Sequence, residues 1–166
     1  MFEICLIFSG IALFLNGFLP LIDRNENGEV VVMNVISGIV IALIALYGIF
    51  VVIEPVNYLK IMALMLIAFL HLYISATYIW DLQEESLGWF SALIALIFIG
   101  LGVYFMLNGN MMLGAWFIIW SLLFVAYFVS RGLSVLETVS NWVIMLEGIL
   151  AFVAPGVLLL LGVIAL

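Results

Sequence analysis

The stretch Asn141–Leu166 reads NWVIMLEGILAFVAPGVLLLLGVIAL, and it is long and apolar enough to cross a bilayer. It nevertheless carries a carboxylate, Glu147, and an interior proline, Pro155. An ionisable group at mid-membrane costs roughly 2.5–3.5 kcal/mol on insertion scales, so such groups mark a partner, a watered cavity or a function. Glu147 is therefore the first candidate residue of the chain.

The same apolar character extends outward over the whole sequence. Of 166 residues, 69% are hydrophobic and 8% charged, and the mean hydropathy is +1.49. A water-soluble chain of this length needs far more polar surface, so lipid is the solvent for most of it. Five earlier stretches have spanning length: Phe2–Ile22, Val30–Ile53, Ile61–Leu82, Leu87–Leu107 and Met111–Ser130. They predict an all-α integral membrane protein with a single six-helix domain over residues 1–166. The connections are short (Asp23–Glu29, Glu54–Lys60, Gln83–Ser86, Asn108–Asn110 and Arg131–Ser140), which makes consecutive helices antiparallel neighbours. The first apolar run has no basic segment before it and no small-residue cleavage site after it, so it reads as a retained span.

Charge excludes several functions. The net charge is −7 with three basic residues, which leaves no footprint for nucleic acid. One cysteine and one histidine offer no disulfide and no recognisable metal, haem or iron–sulfur cluster. There is neither a phosphate-binding loop nor a G-x-S-x-G elbow, so no enzyme and no cofactor is expected. Arg24 and Arg131 lie in odd-numbered connections and Lys60 in an even-numbered one. The positive-inside rule then puts the odd connections in the cytoplasm and both termini outside.

Polar and aromatic residues recur on helix faces. Cys5, Ser9 and Asn16 fall within about 40° of one line in the first span. Asn34, Ser37 and Gly38 mark the second, and His71, Ser75 and Tyr78 the third. Trp116, Trp120, Leu123 and Tyr127 form a ladder in the fifth, and Glu147 aligns with Ala151, Ala154 and Leu158 in the sixth. Gly88, Ser91, Ala92, Ala95 and Gly102 read as close helix packing in the fourth. Trp80, Trp89 and Trp142 read as interfacial anchors.

Counting rise per residue puts Asn16 and Glu147 each about 9 Å from the same end, with Asn34 slightly shallower. The expectation is that the carboxylate accepts hydrogen bonds from both amides. Asn16 and Asn34 read equally well as interhelical glue, and His71 reads first as a satisfied packing residue and second as a proton relay. One acid, several amides and hydroxyls, flat aromatic faces and no basic partner at depth favour a small neutral hydrogen-bonding solute over an ion or an anion.

The runs LFLNGFLPL (Leu13–Leu21), VVMNVISG (Val31–Gly38), HLYISATY (His71–Tyr78), WFIIW (Trp116–Trp120) and MLEGILAFVAPGVLLL (Met145–Leu160) resemble the AmiS/UreI family of bacterial urea and short-chain amide channels. The resemblance implies three two-helix hairpins around one pore per protomer. It also implies a homo-hexameric ring in the bacterial cytoplasmic membrane, in contact with lipid, passing urea or short-chain amides passively. Pore residues carry over as Glu147, Trp116, Trp120 and Tyr73, with Asn16 and Asn34 as supports. Leu123 and Tyr127 stand where urea channels of the family often have tryptophan. Acid-gated members have long outer loops rich in histidine and carboxylates. Here those loops are EPVNYLK and NGN, which predicts a channel without an acid gate. Two other classes stay open on the residues alone. One is a proton-coupled small-solute transporter using Glu147 and His71, and the other a membrane scaffold subunit that moves no solute.

Overall fold

The computed structural model describes residues 2–23, 27–51 and 55–164. Arg24, half of the charge evidence for orientation, lies outside the described residues. Six helices have the length and composition to cross a membrane: α1 Phe2–Leu21, α2 Asn27–Val51, α3 Pro55–Trp80, α4 Glu84–Leu107, α5 Met111–Gly132 and α6 Glu137–Leu160. Twenty residues at 1.5 Å each give about 30 Å, the thickness of a hydrocarbon core. In lipid the backbone has no water to bond to, and a helix meets that demand within itself.

Four helices start earlier than hydropathy alone predicts. α2 begins at Asn27 instead of Val30, α3 at Pro55 instead of Ile61, α4 at Glu84 instead of Leu87, and α6 at Glu137 instead of Asn141. The reason is physical. Apolarity reports where a chain meets lipid, whereas a polar first turn prolongs a helix into water and its carboxylates favour the N-terminal end of the dipole. Proline at a helix start costs no hydrogen bond. The NGN connection also follows from its residues: Gly109 takes φ +86°, and the Asn110 side chain caps α5 by accepting the Leu113 N–H at 3.1 Å.

The helices associate as three antiparallel pairs. α2–α3 and α4–α5 are hairpins, while the third pair joins the first helix to the last. Glycines bring the backbones together in the α4–α5 pair and in the pair of first and last helices. Gly10 of α1 lies against the backbone of Gly148 and Val153 in α6, Gly17 against Asn141 and Met145, and Gly156 of α6 against Glu3 and Ile7. Gly88 of α4 touches the backbone of Gly132, and Gly102 that of Gly114. The small-residue stripe of α4 thus does pack: Ser91 and Ala95 are buried with it. Such close approach is how helices associate where lipid removes any hydrophobic drive between them.

A Cβ at Gly10 would overlap the Gly148 carbonyl and the Val153 backbone, neither of which can rotate away. Gly10→Val is expected to destabilise the α1–α6 pair by about 1–3 kcal/mol, as overpacking does. Denaturation in SDS–detergent mixtures reads this directly, and wild-type stability in the variant would show that the helices pack elsewhere.

The outside is a continuous apolar surface of residues such as Leu43, Phe50, Phe69, Leu96 and Leu150. Trp80, Trp89 and Trp142, each at least half exposed, all sit at the end that carries the third and fifth connections. This odd-loop end therefore has a belt of tryptophans, the expected placement at a membrane interface.

Candidate solute pathway

Two helices contain a single wide π-type turn. In α5 it covers Phe128–Gly132, and in α6 it covers Gly148–Val153, directly after Glu147. Such turns commonly border functional positions because they re-aim side chains and free backbone groups. Pro155 adds to the effect in α6: it has no N–H to offer the Ala151 carbonyl four residues back. The Trp120 indole N–H donates to that carbonyl at 2.8 Å, from α5 across to α6. Trp120 is fully enclosed, with Phe117 at 5.2 Å, Phe152 at 5.6 Å and Trp116 at 6.3 Å between ring centroids. It is a packed cross-brace more than a free surface.

Trp116 presents its ring to an open lateral groove of about 430 Å³ between α5 and α6. Glu147 borders the same groove among Val143, Leu146 and Leu150. Glu147 is 7% exposed, and neither carboxylate oxygen has a hydrogen-bond partner among the described residues. The expectation that both amides bond to it is corrected here. The early start of α6 puts Glu147 ten residues in, about 15 Å from the odd-loop end, while Asn16 is five residues, about 7.5 Å, from the end of α1. The groups lie at different levels.

The amides instead bond to each other. Asn34 Nδ2 donates to Asn16 Oδ1 at 2.6 Å, and Asn16 Nδ2 donates to Asn34 Oδ1 at 3.1 Å and to the Tyr127 hydroxyl at 3.1 Å. Asn34 Nδ2 also donates to the Val30 carbonyl at 2.8 Å, which fixes the amide orientation, since a carbonyl only accepts. Asn34 Oδ1 then faces His71 Nδ1 at 2.7 Å, so that nitrogen carries the proton. His71 Nε2 is left to accept from the Ser9 hydroxyl at 2.8 Å. One continuous chain, Ser9–His71–Asn34–Asn16–Tyr127, thereby ties α1, α2, α3 and α5 together. His71 is wholly buried with both ring nitrogens engaged, and its direct partners do not include Glu147.

Tyr73 is set apart. It is half-buried against Phe90, with ring centroids 5.5 Å apart, and lines a different apolar groove among α2, α3 and α4. The candidate residues thus fall into three places: Trp116, Trp120 and Glu147 at α5–α6, Asn16, Asn34, His71 and Tyr127 in the polar chain, and Tyr73 alone.

At the odd-loop end, residues from all six helices enclose a chamber with about 20 Å³ of accessible space, roughly one water. Asn16 and Tyr127 line it, as do Tyr78, Asn141, Glu84 and Arg131. Reading by sequence singled out neither Asn141 nor the Arg131–Glu84 pair as a site. The available signals were an amide inside the first turns of an apolar span and an arginine at the very end of another.

Six apolar spans enclosing a chain of buried polar groups define a multi-pass helical membrane protein. The chain belongs to the AmiS/UreI family, matching the description "AmiS/UreI family transporter" over residues 1–163. Its fold is similar to the crystal structure of the urea channel from Helicobacter pylori, with a TM-score of 0.83 and 20% identity over 99% of this chain and 100% of that one. The electron cryomicroscopy structure of the Helicobacter pylori urea channel in a closed state is similar at a TM-score of 0.82, again with 20% identity, 99% of this chain and 100% of that chain. No curated protein sequence matches this chain.

Proposed function

We propose that this protein is a passive channel for urea or short-chain amides, working as a ring of six copies in a bacterial cytoplasmic membrane with both termini outside. The observation that carries this reading is Glu147: a buried carboxylate whose two oxygens have no hydrogen-bond partner among the described residues, beside the half-buried ring of Trp116. Family membership supports it, and so does the likeness of fold to the Helicobacter pylori urea channel.

The chemistry matches a flat neutral solute. Urea and simple amides bring N–H donors, which the orphaned carboxylate accepts in place of lost water. A planar molecule held between two rings needs about 7 Å, two van der Waals contacts. Trp116 and Trp120 stand 6.3 Å apart, so the solute lies on the face of Trp116 instead of between the pair. Ions are rejected because an apolar slot does not repay their dehydration. Tyr73, on its separate groove, serves the outer surface or the contact between copies in this reading.

Passage is not acid-gated. The even-numbered connections hold no histidine, and the chain's one histidine is enclosed with both nitrogens bonded. The test is stopped-flow light scattering on proteoliposomes with urea and acetamide, with and without a proton gradient. Rapid flux is expected without a gradient, equal within about two-fold at pH 5 and pH 7.5, the range in which histidine switches act. Flux that needs the gradient makes the protein a coupled transporter. A several-fold rise at acid pH overturns the ungated reading, and no flux leaves a scaffold subunit.

A further inference from the structure

Two spaces meet back to back at the odd-loop end. One is the enclosed chamber; the other is an open polar mouth of about 470 Å³ bordered by Gln83, Ser130 and Glu137. Glu84 and Arg131 line both. The Arg131 guanidinium donates to the Glu84 carboxylate between the two spaces and lies 3.7 Å from Glu137. Packing holds the pair there: Gly88, one turn after Glu84, touches the backbone of Gly132, the neighbour of Arg131. A side chain at Gly88 would overlap the Gly132 backbone, push α4 off α5 and separate the charges.

On the chamber side, Asn141 is 4% exposed and its Oδ1 has no hydrogen-bond partner among the described residues. A buried carbonyl oxygen without a donor costs stability and is uncommon. Across the same chamber, the Tyr127 hydroxyl accepts from Asn16 and keeps its own proton to donate. An acceptor and a donor thus face a space that is closed in this conformation and too small for more than a water.

We propose that this chamber is a second, inner binding station for the amide-type solute, with Asn141 its acceptor and the Arg131–Glu84 ion pair its door. The inference rests on the channel reading above. A solute arriving from the Glu147 groove gives N–H to Asn141 Oδ1 and takes the Tyr127 proton on its carbonyl. It leaves when Arg131 parts from Glu84 and the chamber opens to the mouth. A door made of a partly exposed ion pair suits this use, because such pairs are weak and exchange with water.

The experiment is urea flux through the full-length protein in proteoliposomes, comparing wild type with Asn141→Leu, Asn141→Asp and Glu84→Gln, with assembly checked by size exclusion. Asn141→Leu is expected to lose about five-fold in flux or more, the loss of one buried hydrogen bond. Asn141→Asp, which keeps an oxygen at the same place, is expected to lose less than Asn141→Leu on the same scale. Glu84→Gln, with its door loosened, gains about two-fold or more, the size of a weak ion pair. Wild-type flux in Asn141→Leu, or equal losses in both Asn141 variants, overturns the station. An unchanged or slower Glu84→Gln overturns the door. A wild type that passes neither urea nor acetamide overturns the channel reading and this inference with it, whereas a conducting wild type with unresponsive variants overturns the inference alone.

Discussion

Replacing Glu147 by leucine is expected to slow urea passage about ten-fold or more while making the folded protein more stable. The two effects have one cause. Among the described residues, neither oxygen of the buried carboxylate meets a partner with hydrogen-bond geometry. A buried unsatisfied polar group costs about 1–3 kcal/mol, so an apolar side chain of similar size relieves the fold of that cost. The solute loses what the fold gains, since it gives up water on entry and then finds nothing to accept its N–H groups. One hydrogen bond to an acidic group contributes about 1.5–3 kcal/mol, or ten-fold and upward in rate. Glu147→Gln keeps one carbonyl oxygen and is expected to fall between. Flux by light scattering and stability by SDS denaturation, measured on the same preparations, give the signature. A residue held for packing would show the reverse pair of signs, and a leucine variant that is less stable yet conducts normally would remove Glu147 from the pathway.

Asn34 is expected to behave in the opposite way. It is fully buried and takes part in four hydrogen bonds, two with Asn16, one with Val30 and one with His71. Leucine there strands the His71 N–H and leaves Asn16 Nδ2 with Tyr127 alone. Each stranded buried donor costs about 1–3 kcal/mol, discounted in a membrane because the partly unfolded helices also find partners. A net loss of ~2 kcal/mol is expected. Ser37→Ala is the internal reference, since it removes a single bond, from Ser37 Oγ to the Phe8 carbonyl at 3.0 Å. It should cost about 0.6 kcal/mol, the average for such bonds. Equal losses in the two variants would mean that the polar chain from Ser9 to Tyr127 is not cooperative. Conversely, a flux defect in Asn34→Leu at full stability would move Asn34 from support to pathway.

Much of this was open to reading in the chain itself. Six spans, an all-helical fold, the glycine-rich contact face of α4, the odd character of Glu147 and the family likeness are properties of windows of about 20 residues. Lipid imposes length and apolarity locally, and a helix bonds its own backbone, so no knowledge of neighbours is needed. Tertiary structure decided which polar groups meet. A hydrogen-bond partner depends on the rotation and axial offset of two helices, and each residue changes these by 100° and 1.5 Å. Starting α6 four residues earlier, at Glu137, moved Glu147 about 6 Å along the axis from the level of the two asparagines. Backbone contacts at Gly10, Gly17 and Gly148 then set the offset of α1 against α6. Those contacts, invisible in hydropathy, leave Glu147 unpartnered beside Trp116, pair Asn16 with Asn34, and close the chamber under Arg131 and Glu84.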